Sequence, residues 1–150
     1  MLALLIAAAL QASPPPAEAE DKAVLATAQA FFDGFEKGDV AAMRATLLPN
    51  AQLMSLNTRP GGAIALRRFG FEETFGTKPP AGAKEWMWSP VIIRRGALAT
   101  LSAPYELSIN GKSVHCGLDV FTLVQTEGAW KIASISWTAE PDACPEIRKM

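Results

Sequence analysis

The sequence predicts an α+β domain in which helices from the N-terminal half pack on one face of a curved antiparallel sheet. Three observations carry this. Apolar residues recur at helical spacing as far as Leu48, they alternate as in strands from Trp86 onward, and short glycine-containing turns join those strands into a meander. With 150 residues, 49% of them hydrophobic, the chain suits one compact domain, because two would each lack a sufficient core. A net charge of −1 gives no basic footprint for nucleic acid, which leaves a small molecule or a second copy of the chain as the expected partner.

Met1 to Leu10 are wholly apolar and are followed by Gln11-Ala12-Ser13 and three prolines. A run of about ten apolar residues is too short to cross roughly 30 Å of hydrocarbon, so no membrane span is expected. The run suits a secretory signal over residues 1–19, cleaved after Ala12 or after the triplet Ala17-Glu18-Ala19, although it lacks a Lys or Arg before its apolar stretch. This places the protein in the periplasm or outside the cell, with residues 20–150 as the domain and its short C-terminal tail.

From Asp21 to Lys37, Val24, Leu25, Ala28, Phe31, Phe32 and Phe35 recur at three- and four-residue steps and mark a helix with an aromatic face, capped by Asp21 and ended by Gly38. A second helix starts at Asp39 and runs through Leu48 to Pro49. Ala51–Leu56 is a short strand, and residues 57–62 form a loop. Ile64–Phe75 reads as a short third helix or two turns interrupted at Gly70. Trp86–Arg94 and Ala97–Ile109 are strands. Asn110-Gly111 is the strongest hairpin signal in the chain. It leads into two long strands that span residues 111–137 and turn at Glu127-Gly128.

That last hairpin gathers the rare residue types: His115, the single histidine; Cys116, one of two cysteines; and Asp119, the one ionisable residue in mid-strand. If the turn is at Glu127-Gly128, positions summing to about 255 face each other. Cys116 then lies opposite residue 139 or so, and a bent Pro141-to-Pro145 tail brings Cys144 within disulfide reach. The alternative is two unpaired thiols, one of them buried. One histidine and two cysteines that a bridge would occupy cannot supply three or four zinc ligands without carboxylates at unknown positions, and no phosphate loop or nucleophile elbow is present, so no metal or cofactor is expected.

The segment Phe-Phe-Asp-Gly-Phe-Glu-Lys-Gly-Asp (31–39), then Leu48-Pro49-Asn50-Ala51, and the closing Glu127-Gly128-Ala129-Trp130-Lys131-Ile132 resemble the nuclear transport factor 2-like superfamily. That superfamily includes ketosteroid isomerase, scytalone dehydratase and the SnoaL-like cyclases. The resemblance covers roughly residues 21–140. It implies a cone-shaped curved sheet with three helices from the N-terminal half packed on its concave face, leaving an apolar pocket. It fixes no activity, because this scaffold hosts enzymes and binding proteins alike.

In such a pocket the helix offers Phe31, Phe32 and Phe35, and the sheet offers Trp86, Trp88, Tyr105, Phe121 and Trp137, walls that suit a small, flat, apolar ligand. Of these, Phe32, Phe35, Trp86, Trp88, Phe121 and Trp137 are the expected ligand-binding set. His115 and Asp119 share one strand face about 13 Å apart, too far to hydrogen bond directly but suited to the two ends of a bound molecule. Within Gly117-Leu118-Asp119-Val120, Asp119 looks like the proton-abstracting strand aspartate of SnoaL-like cyclases, and an enzyme built on it would use His115 or Tyr105 as its polarising donor. The chain departs from ketosteroid isomerase in having no tyrosine on the first helix. Aligning the last turn with that family instead puts Thr122, on the opposite strand face, at the acid position. Two readings therefore stand: an exported domain that binds a small apolar ligand and pairs with itself through the sheet, without catalysis; or an isomerase-, cyclase- or dehydratase-type enzyme with Asp119 as base. In the first, Asp119 is a structural carboxylate held by an arginine or by backbone donors.

Overall fold

The computed structural model describes residues 17–59 and 61–150. The expected leader lies outside the described residues except for Ala17-Glu18-Ala19, which form the first turn of helix α1 (Ala17–Lys37). Asp21, expected as a cap, sits inside that helix and binds Arg94 Nε at 3.0 Å. The helix ends as expected: Gly38 takes φ 64°, and the amide of Asp39 donates to the Gly34 carbonyl. Asp39 caps helix α2 (Val40–Ala45) by accepting the Ala42 amide at 2.9 Å.

α2 is shorter than its apolar spacing predicts. Leu47 and Leu48 open strand β1 (Leu47–Thr58), in which Leu47 pairs with Ile132 of a distant strand. Pro49, which has no amide to give, sits where that pairing shifts register, beside Asn50 at φ 62°. The expected third helix is likewise only half realised. Ile64–Gly70 is strand β2, paired antiparallel to β1, and only Phe71–Phe75 is helical, as α3. The two-residue step from Ile64 to Leu66 is a strand period, and pairing satisfies β1's edge amides, which a helix there would leave open.

The single strand expected over Trp86–Arg94 is two strands, β3 (Ala83–Met87) and β4 (Val91–Arg95), parted by Ser89 at φ 45° and Pro90. Both pair antiparallel with β5 (Leu98–Ile109). Two-residue turns at Asn110-Gly111 and Glu127-Gly128, all four residues at positive φ, connect β5 to β6 (Lys112–Thr126) and β6 to β7 (Ala129–Ala139). Helix α4 (Cys144–Ile147) closes the chain.

The sheet order is β2-β1-β7-β6-β5-β3, with β4 also on β5. It is curved, unclosed and mixed rather than wholly antiparallel, because β1 runs parallel to β7. Residue periodicity fixes which side chains share a face but not the direction of two strands some eighty residues apart. α1 lies across the concave face, with Phe32 edge-on to Phe121 at 5.7 Å between ring centroids. Polar contacts anchor both its ends: Trp130 Nε1 donates to Glu20 at 2.7 Å, and Lys84 pairs with Glu36 at 3.2 Å.

The outer face carries the tail. Cys116 and Cys144 form a disulfide, and Arg148 clasps Glu106 with two hydrogen bonds. Because the bridge closes a 28-residue separation, replacing both cysteines with alanine is expected to cost about 3 kcal/mol in urea unfolding. An unchanged midpoint would show that the tail contributes nothing to the fold.

Candidate functional site

Asp119 faces inward. On β6, residues 115, 117, 119 and 121 lie on the concave side, and their partners Leu107, Tyr105, Ala103 and Leu101 on β5 share it. Thr122 points the other way. The alternation is interrupted in β7, where a register shift opposite Thr122 and Leu123 keeps Trp130, Ile132 and Ile135 all buried. The parity left open by the sequence is thereby settled in favour of the Asp119 face.

Between that face and α1 lies a cavity of about 130 Å³. Its aromatic walls are Phe31, Phe32 and Phe35 of α1, Phe75 of α3 and Trp137 of β7. These rings meet edge to face: Phe31 and Phe35 each pack on Phe75 with centroids 5.7 and 5.9 Å apart. An adjoining cavity of about 430 Å³ shares Phe35, Phe75 and Leu107 with the first, so these three side chains form the partition between them. A larger groove of about 670 Å³ lies at the β1–β2 edge, where the exposed Arg44 and Glu72 side chains already satisfy each other.

The polar lining of the small cavity comes from three strands: Glu85 of β3, Tyr105 of β5, and His115 and Asp119 of β6. Glu85 is the residue the sequence reading missed. It stands opposite Leu107, on the concave parity, and its carboxyl is hydrogen-bonded to that of Asp119. Such a bond requires one carboxyl to be protonated. Burial, the neighbouring Glu85 charge and this bond hold the Asp119 pKa well above the ordinary range, and burial pushes Glu85 up to about 8. Asp119 is 2% exposed, and its Oδ2 takes no hydrogen bond from any amide, hydroxyl or cationic side chain among the described residues. The arginine or backbone partners of the structural reading are absent from that oxygen.

Tyr105 is buried, and its hydroxyl donates to the Thr138 carbonyl at 2.7 Å, so its proton is committed to the backbone. Burial and the nearby Glu85, Asp119 and Glu140 charges raise its pKa further. The close approach of Thr138 depends on Gly117, where a Cβ would lie 2.0 Å from that carbonyl oxygen. His115 stacks edge-on against Tyr105 at 5.7 Å, and burial lowers its pKa, which keeps it neutral at pH 7. His115 and Asp119 thus line one cavity, and it is Glu85 that bonds to Asp119.

Of the expected aromatic set, Phe32, Phe35 and Trp137 line the cavity. Phe121 is fully buried in the core behind Phe32. Trp86 pairs with Glu106 and so sits on the outer parity, and Trp88 lies past the end of β3 with its indole nitrogen buried and without a partner among the described residues. The alternation Glu85-Trp86-Met87-Trp88 contains the signal for Glu85, but it shows only if the tryptophans are assigned to the outer face.

Because the folded chain holds these protons more tightly than the unfolded chain, it binds more protons between about pH 4.5 and pH 8. Stability therefore falls as pH rises through that window. In acid the Glu106–Arg148 pair works in the opposite sense: Arg148 lowers the Glu106 pKa, and that contribution is lost as Glu106 protonates. The thermal midpoint is expected to be highest near pH 5 and to decline toward pH 8. Glu85→Gln should flatten that decline and stabilise the protein at pH 8 by on the order of 1 kcal/mol. A midpoint that rises from pH 5 to pH 8 would contradict the buried pair.

A family model described as "Putative lumazine-binding" matches residues 19–138. Among solved structures, an NTF2-like protein of unknown function from Shewanella baltica is 21% identical, with a TM-score of 0.61 over 86% of this chain and 100% of that one. A protein of unknown function with a cystatin-like fold from Nostoc punctiforme is 15% identical, with a TM-score of 0.63 over 83% of this chain and 93% of that one. The beta subunit of a putative aromatic-ring-hydroxylating dioxygenase from Novosphingobium aromaticivorans is 10% identical, with a TM-score of 0.64 over 83% and 91%. No curated protein matches the chain.

Proposed function

The chain belongs to the family described as "Putative lumazine-binding", with the nuclear transport factor 2-like fold, and from that premise we propose that it binds a small, flat, largely apolar molecule between α1 and the concave sheet face. The observation that carries this reading is the cavity walled by five aromatic side chains around a single polar cluster. Its volume is close to that of an apolar cavity of about 150 Å³ that holds benzene. A bicyclic ligand such as lumazine would extend past the Phe35, Phe75 and Leu107 partition into the adjoining space. The carboxyl pair supplies both a donor and an acceptor for a heterocycle's amide edge.

The same reading takes the protein to be exported, as the apolar N-terminus suggests and as a disulfide between Cys116 and Cys144 supports. Two copies pair through the outer face of the sheet, where Ile93 is 71% exposed and Val91 59%. Intact mass and light scattering on material purified from the producing cell check both points. An uncleaved or monomeric protein counts against them.

One observation favours a second reading. The half-buried Glu85 and the buried Asp119 pair a carboxylate with a carboxylic acid, a complete general base and acid that would serve an isomerase-, cyclase- or dehydratase-type proton transfer. Here the acid of the pair, rather than the Tyr105 hydroxyl, polarises the substrate.

Calorimetric titration with lumazine is expected to show saturable binding. Leu107→Trp at the partition should weaken it at least about tenfold, or ~1.4 kcal/mol. No binding to the parent protein would sink the binding reading. Asp119→Asn should abolish any isomerase turnover while lumazine still binds; retained turnover would remove Asp119 from the chemistry.

A further inference from the structure

The small cavity has a pronounced charge bias. Among the described residues its lining holds two carboxyl groups and neither lysine nor arginine. Every element packed against the Glu85–Asp119 pair agrees with that bias. β3 contributes Glu85 itself; β5 contributes Tyr105, whose proton is given to Thr138; β6 contributes Asp119 and the neutral His115. α1, α3 and β7 contribute only phenylalanines, Ile135 and Trp137. Beyond Tyr105, Glu140 adds further negative potential. The nearest cation along the chain, Lys84, is engaged by Glu36.

Asp119 Oδ2 is buried and takes no amide, hydroxyl or cationic donor among the described residues, and Asp119 lines this cavity. An orphaned acceptor in an apolar site costs free energy until a ligand supplies the donor. Aromatic rings around a carboxylate suit one class of guest above others: their faces attract cations, and the carboxylate supplies the counter-charge.

We propose that the cavity selects a small planar organic cation, an amidinium or protonated aromatic amine whose N–H edge lies on Glu85 and Asp119 and whose ring is held by the surrounding aromatic side chains. This rests on the ligand-binding reading above and narrows it to a charge class. The proton balance follows. The empty pair holds a proton between its carboxyls, the incoming cation supplies its own N–H donors, and the displaced proton leaves to solvent. Binding therefore releases a proton and strengthens as pH rises. Because Glu85 titrates at about 8, the gain extends through the neutral range. An anion of the same shape faces the two carboxyls with no compensating cation.

Isothermal titration of the protein with benzamidine, its neutral isostere benzamide and the anion benzoate tests this directly. At pH 8, benzamidine is expected to bind at least about tenfold more tightly than benzamide, and benzoate to give no binding. Between pH 6.5 and pH 8, benzamidine affinity should rise about tenfold while that of benzamide stays level. Its heat at pH 6.5 should depend on the buffer's ionisation enthalpy in the sense of proton release. Asp119→Asn, and independently Glu85→Gln should one variant fail to fold, brings benzamidine to the level of benzamide or below. Benzamide or benzoate binding as well as benzamidine to the parent protein overturns the charge selection and leaves the ligand-binding reading standing. Failure of all three together with lumazine overturns both.

Discussion

The packing of the α1 phenylalanine face on the concave side of the sheet is the constraint on which the rest depends. Phe32 against Phe121, and Phe31 and Phe35 against Phe75, seal water from the middle of β6. That seal turns Asp119 from an ordinary strand carboxylate into a protonated or proton-sharing group, and it makes Glu85 its partner. Burial of an unpaired carboxylate costs several kcal/mol, so a bare Asp119 in this position would oppose closure of the helix onto the sheet. Sharing a proton with Glu85 lowers that cost without bringing a cation into the core. The contacts at the two ends of α1, Glu20 with Trp130 and Glu36 with Lys84, fix the helix in the position that maintains the seal.

The two faces of the sheet divide the work. The concave face holds the aromatic cavity and the carboxyl pair. On the outer face, Cys116, immediately along the strand from the site residues, is tied to Cys144, and Glu106 is held ionised by Arg148. Glu85 and Glu106 are both strand carboxyl groups within one part of the sheet, yet their pKa values move in opposite directions. Arg148 holds Glu106 down, whereas burial away from any cation pushes Glu85 up and the hydrogen bond with Asp119 only partly offsets it. Strand parity, which sets the face a residue occupies, thereby sets its chemistry.

Much of this was legible locally. The α1 face, the Asp39 cap, the Asn110-Gly111 and Glu127-Gly128 turns and the Cys116–Cys144 bridge all follow from short-range spacing, and the observed pairing of Cys116 with Glu140 lies one residue from the expected position. What was not legible depends on distant partners. β2 forms because β1 presents an edge to pair with, and β1 runs parallel to β7 because of where α2 delivers the chain. Glu85 was hidden by a strand start set three residues late, at Trp86 instead of Ala83, and by the pull of Trp86 and Trp88 toward a supposed aromatic wall. The face of Asp119 was hidden because a bulge in β7 breaks the alternation that would have revealed it. A single inserted residue reverses parity, and no residue type marks it.

At neutral pH Glu85 and Asp119 share a proton in the cavity beneath α1. Carbon-13 NMR titration of the side-chain carboxyls measures this most directly. Glu85 is expected to titrate at about 8 and Asp119 well above its ordinary range, with Glu85→Gln moving the Asp119 transition downward as the neighbouring charge is removed. Two independent transitions near pH 4, each unaffected by loss of the other carboxyl, would contradict it.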